Sequence, residues 1–285
     1  MNEIVSLLER AESLLERLEG CFPSAQETDW EGIAFRWVGN KGLVRVNHPH
    51  AIRIENLKGI DAQIRAAEEN TRQFVKGHPA NNVLLTGARG TGKSSLVKAL
   101  LNRYCGEGLR LIEVEKGDLL HLPEIVEKME GRSERFILFC DDLTFDQDEV
   151  GYRELKVILD GSVSVSPENM LVYATSNRRH LMPEFMSENL ETKRYGEEIH
   201  PGEAVEEKIS LSERFGLWIS FHAFDQEGYL GIVDHWLDHF GVKNRRGARK
   251  AALQWALNRG SRSGRIAWQF ARDWAGRERA KSMQP

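Results

Sequence analysis

The chain has 285 residues, of which 41% are hydrophobic and 29% are charged, and its formal net charge at pH 7 is −4. These values are ordinary for a soluble globular protein with one large domain or two modest ones, and the net charge gives no strong indication of nucleic-acid binding. No apolar stretch approaches the roughly 18 residues of a membrane span, no signal-peptide pattern opens the chain, and its three cysteines show no paired spacing, which together predict a cytoplasmic protein without a membrane segment.

The N-terminal residues 1–48 are expected to form a helix followed by a small lobe. In residues 2–19 apolar side chains recur at helical spacing against Glu and Arg, which predicts an amphipathic helix that docks on its own chain or on a neighbouring subunit. Residues 21–48 show strand-like alternation interrupted by Gly39 and Gly42, and this pattern indicates a hairpin or small lobe. Neither segment carries recognisable chemistry, and we expect both to be separate from the domain that follows.

Residues 49–227 are expected to form one α/β domain. Its first helix is predicted over Asp61–Val75, where apolar residues keep helical spacing. The continuous apolar runs that follow are typical of strands buried on both faces of a parallel sheet. Because helices separate these runs, their order predicts a doubly wound, parallel, five-stranded sheet whose ligand lies beyond the carboxyl ends of the strands. The strands are expected just before Gly87 and at residues 109–114, 136–140, 170–174 and 217–221.

Residues 228–285 are expected to form a helical lid, because strand patterns stop there. Its tryptophans are expected to form the core of the lid rather than a binding platform. The stretch from Lys243 to Lys281 is basic and either faces phosphates or an acidic partner, or forms a solvated helix face. The helices are expected at 229–240, 244–258 and 263–275, and the tryptophans are Trp236, Trp255, Trp268 and Trp274.

A glycine-rich loop is expected to bind a nucleoside triphosphate. Gly87–Ser94 fits the pattern G-x-x-x-x-G-K-[ST] at every fixed position, between a strand and a helix that begins near Lys93. Glycines let the backbone N–H groups approach phosphate oxygens, and the helix N-terminus adds partial positive charge, whereas a plain turn needs neither. Lys93 would reach the β- and γ-phosphates, and the Ser94 hydroxyl would coordinate Mg²⁺. The expected binding residues are Gly87, Ala88, Arg89, Gly90, Thr91, Gly92, Lys93, Ser94 and Ser95.

Two further strands end in polar residues that suit the same site. Asp141 and Asp142 follow the apolar run at 136–140; Asp141 is expected to bind Mg²⁺ directly or through water, and Asp142 to orient and deprotonate the attacking water. Asn177 follows the next strand, where its amide would hold the γ-phosphate or that water. The alternatives are acids that cap a strand end and an Asn that caps a helix.

Two arginines are candidates for stabilising the charge that develops in phosphoryl transfer. Arg214 lies just before the fifth strand and would point into the nucleotide of a neighbouring subunit, unless it forms a surface pair with Glu213. In the lid, either Arg262 or Arg265 would fold onto the phosphates. We favour Arg265, because the Ser-Gly-Arg turn directs it towards the start of the helix.

The order of these motifs resembles that of the AAA+ ATPases over about residues 51–285. The resemblance implies ATP and Mg²⁺ as ligands. It also implies self-association, usually in a ring of six, because the arginine finger acts in trans. The implied roles are Walker A for Gly87–Ser94, Walker B for Asp141 and Asp142, sensor 1 for the run Thr175-Ser176-Asn177, arginine finger for Arg214 and sensor 2 for Arg265.

More narrowly, the chain looks like a bacterial AAA+ family known only as a domain of unknown function, and that likeness implies that Ile60 and its neighbours contact adenine. Asp142 stands where many AAA+ members have Glu, which implies slow hydrolysis or a switch-like use of ATP. No aromatic residue occurs in 115–119, where protein-threading members carry a pore loop, and this argues against an unfoldase. The segments that carry the likeness are residues 57–63, 79–85 and 174–181.

The leading hypothesis is a Mg²⁺-dependent AAA+ ATPase that acts as a cytoplasmic remodeller or switch through sites between subunits. One alternative is an initiator- or loader-like nucleic-acid-binding protein, motivated by the Asp-Asp pair and the basic lid. Another is a nucleotide sensor that does not hydrolyse and acts through assembly by the helix at 2–19. ATP is preferred over GTP from the resemblance, since no N-K-x-D motif occurs. The client would be a protein or a nucleic acid.

Overall fold

The computed structural model describes residues 28–144, 151–160, 167–177, 193–195, 198–200 and 211–282. The helix expected at 2–19 lies outside these residues, as do residues 178–181 of the family likeness. The strands are β1 (Ala34–Val38), β2 (Gly42–Arg45), β3 (Val83–Gly87), β4 (Leu109–Glu113), β5 (Arg135–Cys140), β6 (Met170–Ser176), β7 (Lys193–Tyr195), β8 (Glu198–His200) and β9 (Leu217–Phe221). The helices are α1 (Asp61–Val75), α2 (Lys93–Tyr104), α3 (Leu122–Met129), α4 (Tyr152–Asp160), α5 (Gln226–His239), α6 (Ala248–Asn258) and α7 (Gly264–Ser282).

The main sheet has seven strands in the order β2-β1-β4-β5-β6-β3-β9, while β7 and β8 pair only with each other. All neighbours in the main sheet run parallel except β1 and β2. The expected strands are all present and adjacent, but the expectation of a five-stranded sheet is wrong, because the β1–β2 hairpin extends the sheet beyond β4. The hairpin expected within residues 21–48 is therefore part of the main sheet and not a separate lobe.

The hairpin joins the sheet because β1 pairs with β4 along its backbone and through its side chains. Phe35 lies opposite Ile112 in the parallel register, and both are buried in one apolar cluster. Beside them, the guanidinium of Arg36 forms an ion pair with Glu113 at 2.7 Å. The alternation of apolar and polar residues in a strand shows which face is buried, but it does not show which distant strand it pairs with. The sequence therefore showed the hairpin but not its partner.

Helices cover both faces of the sheet. On one face, α1 and α2 pack against a cluster that includes Leu85 and Ile137. On the other face, α3 and α4 pack against a cluster that includes Leu84 and Leu138. Because successive residues of a strand point to opposite faces, the continuous apolar runs supply both layers. The expected α/β fold is confirmed, and it brings the carboxyl ends of β3, β5 and β6 to one edge.

The three C-terminal helices α5, α6 and α7 form an apolar cluster of their own. Helix α5 begins after Asp225, whose carboxylate accepts a hydrogen bond of 2.8 Å from the Gly228 N–H. Inside the cluster, the hydroxyl of Tyr229 donates to the Ala252 carbonyl at 3.1 Å.

No helix among the described residues combines the length and apolarity of a membrane span. Apart from the hairpin, which belongs to the main sheet, the division of the chain into domains at residues 1–48, 49–227 and 228–285 stays a prediction.

Candidate functional site

The glycine-rich loop lies between β3 and α2, and α2 begins at Lys93. At the start of the loop, Gly87 has a φ of +127°, and a Cβ there would lie 1.9 Å from the carbonyl oxygen of Phe221 on β9. Any side chain at this position would push β9 away from β3, so the first fixed glycine of the pattern is required for close packing. The loop is thereby held at the carboxyl end of the sheet.

Lys93 holds the loop from inside. Its ammonium donates to the carbonyls of Gly87 and Ala88 at 2.6 and 2.9 Å and to the Asn177 side-chain oxygen at 3.0 Å. The residue is only 6% exposed. This burial lowers the pKa of Lys93, while Asp142 and Asp141 act in the opposite direction. The structure thus brings together Lys93 and Asn177, both of which the sequence analysis assigns to one site.

Asp141 meets two hydroxyl groups from different elements. Its Oδ1 accepts hydrogen bonds of 2.6 Å from Ser94 on α2 and of 2.6 Å from Thr175 on β6. A hydroxyl and a carboxylate oxygen in contact are the donors that a hard cation such as Mg²⁺ takes from a protein, with phosphate and water supplying the rest. No cluster of three or more His, Cys, Asp or Glu occurs among the described residues. The donor set of Ser94 and Asp141 fits Mg²⁺ bound together with a phosphate, and not a metal held by the protein alone.

Asp142 has a φ of +53° and is the only described residue other than glycine with a positive φ. Its carboxylate accepts a hydrogen bond from the amide nitrogen of Asn177, and it lies 3.7 Å from the guanidinium of Arg89. The Asn177 amide therefore bridges the ammonium of Lys93 and the carboxylate of Asp142. Asp142, the acid expected to activate water, is therefore hydrogen-bonded to the Asn177 amide and lies near the Arg89 guanidinium.

These groups line one cavity of about 760 Å³, which is within the size range of small-molecule and cofactor sites. Its lining contains both polar and apolar residues, which suits a ligand with a charged part and a flat part. The polar and loop residues include Arg89, Gly90, Thr91, Gly92, Lys93, Ser94, Ser95, Asp141, Asp142, Thr175 and Asn177, and the apolar and aromatic residues include Leu57, Ile60, Phe224, Ile232, Trp236 and Trp268.

Most of the residues predicted from the sequence line this cavity. Gly87 and Ala88 are outside the lining and contribute the carbonyls that Lys93 contacts. In the C-terminal helical region, Arg265 lines the cavity and the alternative Arg262 does not. Arg214 is also absent from the lining.

Arg214 is instead paired within the chain. Its guanidinium forms an ion pair with Asp160 at the end of α4, and the Arg214 side chain is 21% exposed. The partner is therefore not the Glu213 that the alternative interpretation named. Within one chain, Arg214 is apart from the cavity that holds the other candidates.

Several lining residues were not identified from the sequence. Thr175 was noted only as part of a motif, and the lid tryptophans were expected to be core. Trp236, Trp255 and Trp274 pack against the helical cluster, as expected, but Trp236 and Trp268 also line the cavity. A spacing signal was present, because Trp268 lies three residues after Arg265 and therefore on the same face of α7.

Comparison with known proteins agrees with this architecture. The family model described as "Protein of unknown function (DUF815)" matches residues 31–278. The Holliday junction branch migration motor RuvB of Thermotoga maritima is similar, with a TM-score of 0.51 and 15% identity over 78% of this chain and 63% of that chain. The Orc1 protein of Aeropyrum pernix, solved in complex with DNA, has a TM-score of 0.57 and 16% identity over 79% of this chain and 61% of that chain.

These likenesses concern the fold. At identities of 15% and 16% they carry no information on ligand or client. The chain also spans less than two thirds of either solved chain, 63% and 61%. Comparison with curated proteins found no match.

Proposed function

Because the chain belongs to the family described as "Protein of unknown function (DUF815)" and has the fold of the AAA+ ATPases, we propose that it binds ATP with Mg²⁺ and hydrolyses it. The observation that carries the proposal is the convergence of Lys93, Ser94, Asp141 and Asn177 at the carboxyl ends of neighbouring strands. In α/β sheets this edge is where ligands bind. The four side chains come from three separate segments, and phosphoryl transfer uses all of them.

Each polar group has a defined part in the proposed reaction. Lys93 neutralises charge on the β- and γ-phosphates, and Ser94 and Asp141 hold Mg²⁺. The metal ion supplies positive charge that offsets the phosphate oxygens when it is bound. Asp142 orients the attacking water and takes its proton, and Asn177 holds the γ-phosphate or that water. Arg265 adds a positive charge from the lid.

The apolar and aromatic residues of the cavity lining are proposed to contact the adenine ring. Ile60 is 4% exposed and lines the cavity together with Trp236 and Trp268. Contact with apolar and aromatic side chains stabilises a bound flat base, so the adenine ring is expected to lie against these residues and not against the charged ones. We propose that the loaded protein acts as a remodeller or switch whose ATP sites lie between subunits.

The direct test is to replace Lys93 with Ala and to measure ATP binding by calorimetry and turnover by phosphate release. A hydrogen bond to a charged group contributes about 1.5–3 kcal/mol, so affinity should fall at least about tenfold and turnover should be lost. Lys98→Ala is the matched control, because Lys98 is on the same helix but does not line the cavity. Wild-type affinity and turnover in the Lys93→Ala protein would refute the proposed site.

A further inference from the structure

Thr175 is the buried hydroxyl closest to the acid pair. It is the second-last residue of β6 and is 1% exposed. Its Oγ1 donates to Asp141 Oδ1 at 2.6 Å and accepts from the backbone N–H of Asp142 at 2.8 Å. Its backbone carbonyl accepts a further hydrogen bond of 2.7 Å from the N–H of Leu143. One residue of β6 thus bonds to three successive residues after β5.

These bonds stabilise a backbone turn that is unfavourable by itself. Asp142 has a φ of +53°, a conformation that L-residues adopt only where surrounding contacts hold it. The bonds from Thr175 to the N–H groups of Asp142 and Leu143 supply such contacts. The direction of the Asp142 carboxylate depends on this turn, because the side chain leaves the backbone at that residue.

The same hydroxyl fixes the neighbouring carboxylate. A hydroxyl has one proton to donate, and Thr175 gives it to Asp141. Thr175 therefore has no proton left for a phosphate or a water molecule, and any effect on chemistry has to pass through the two acids. Ser94 reaches the same oxygen from α2, so Thr175 adds a second support from β6.

We propose that Thr175 is a positioning residue that sets both the metal affinity of Asp141 and the direction of the Asp142 carboxylate. This inference rests on the proposed ATPase function, and it assigns a role of its own to a residue that the sequence indicated only as part of a motif. Partners that orient a metal-binding carboxylate influence affinity and rate by about 10–100-fold when they are removed. The effect of losing the Thr175 hydroxyl should fall in this range.

The test compares three variants of the full chain. Thr175→Val removes the hydroxyl while keeping the shape, and Thr175→Ser retains it. Thr71→Val is the matched control, because Thr71 is equally buried and also makes two hydrogen bonds, to the Ala67 carbonyl at 2.7 Å and the Tyr173 hydroxyl at 2.8 Å. Both valine variants lose similar structural support, so a difference between them reports on the acid pair.

The readouts are the Mg²⁺ concentration that half-saturates binding of a fluorescent ATP analogue, the metal-free affinity for that analogue, and kcat and KM. In Thr175→Val the Mg²⁺ requirement should rise and kcat should fall by about tenfold or more, with metal-free affinity unchanged. Thr175→Ser and Thr71→Val should remain close to wild type. Should Thr175→Val fail to fold, Thr175→Cys gives the same test, because a thiol is only a weak donor.

The outcomes separate this inference from the function on which it rests. Wild-type Mg²⁺ dependence and kcat in Thr175→Val would overturn the positioning role while leaving the ATPase intact. The same losses in Thr71→Val would overturn it as well, since the effect would then be structural. A wild-type protein that binds no nucleotide would overturn both proposals.

Discussion

Lys93 is a cation whose surroundings both oppose and support its charge. Burial disfavours the charged form and is the largest influence on its pKa, whereas Asp142 and Asp141 favour that form. The net result is a lowered pKa. Two backbone carbonyls and one amide oxygen replace the water that the ammonium has lost. The oxygens of a phosphate would compete with these neutral acceptors for the Lys93 ammonium, and the negative charge of the phosphate would favour it in that competition.

The lowered pKa of Lys93 predicts that ATP affinity falls on the alkaline side of neutrality. A lysine is charged below its pKa, so a lowered pKa means that the charge is lost at a lower pH than for an exposed lysine. The dissociation constant of ATP should be measured by calorimetry from about pH 7 to about pH 10. Lys93→Arg is the comparison, because Arg stays charged throughout this range.

The informative quantity is the ratio of the two dissociation constants at each pH. Other groups that titrate in this range act on both proteins and cancel in the ratio. Wild type should weaken relative to Lys93→Arg as pH rises. A ratio that stays constant would show that the charge of Lys93 is not lost in this range, contrary to the prediction.

At the scale of elements, helix α7 starts directly against the glycine-rich loop. The N–H of Gly264 donates to the Gly90 carbonyl at 2.9 Å. A Cβ placed on Gly90, which has a φ of +75°, would lie 2.8 Å from the Ser263 hydroxyl. Because Arg265 is the next residue of α7, its place in the cavity is fixed by this contact. The glycine-rich loop and the start of α7 are therefore in direct contact at this point.

Two Gly→Ala substitutions on α7 should have opposite consequences. A Cβ on Gly264 would lie 3.3 Å from the Gly90 carbonyl oxygen, while one on Gly276 would meet nothing within 4 Å. Gly276→Ala should raise the melting temperature, since Ala favours a helix by up to about 1 kcal/mol. Gly264→Ala should displace the start of the helix and lower ATP turnover a few-fold. Thermal melts and phosphate release measure both, and equal behaviour of the two variants would contradict the proposed coupling.

The sequence was sufficient for elements that depend on local pattern. The buried strands and the helix Asp61–Val75 follow from apolar runs and periodicity, and the phosphate loop follows from a fixed motif. The parallel pairing of β1 with β4 was not predictable, because the two strands are far apart in the chain and neither alternation specifies a partner. For the same reason, the contacts of Thr175 became visible only once β6 was placed beside the loop, whereas the spacing of Trp268 from Arg265 was a signal already present in the sequence.

At the scale of the whole molecule, the position of Arg214 bears on assembly. It is bonded to Asp160 and is not part of the cavity lining of its own chain. An arginine that acts on a nucleotide from this position has to act on that of another subunit. This supports the proposal of self-association, for which the resemblance implies a ring of six.

Arg214→Ala is predicted to retain ATP binding and to lose turnover. A trans-acting arginine contributes by about 10³-fold or more in related chemistry, so the loss should be nearly complete. Mixing this variant with Asp142→Asn should restore part of the turnover, because some sites then combine an intact acid with an intact arginine. Arg65→Ala, an exposed change on α1, is the control. Full ATPase activity of purified Arg214→Ala would refute the role of Arg214 as an arginine finger.

The basic stretch from Lys243 to Lys281 is partly matched by acidic side chains. Arg245 bonds to Asp238, Arg249 lies 3.2 Å from Asp234, and Arg277 lies 2.8 Å from Asp273. These are three of the twelve Lys and Arg residues in the stretch, so a surface that faces phosphates or an acidic partner and a solvated helix face both stay predictions. Exposed pairs of this kind contribute little to stability and mainly keep the surface hydrated.

The side chain of Asn177 has a consequence for how an empty site and a filled site differ. Its oxygen faces a cation and its nitrogen faces an anion, so the neighbouring charges fix which way the amide is turned. In the proposed reaction, a phosphate that draws Lys93 away would remove the partner of the amide oxygen, and the amide would then be free to rotate and release Asp142. The proposed base would thus be restrained until the substrate arrives.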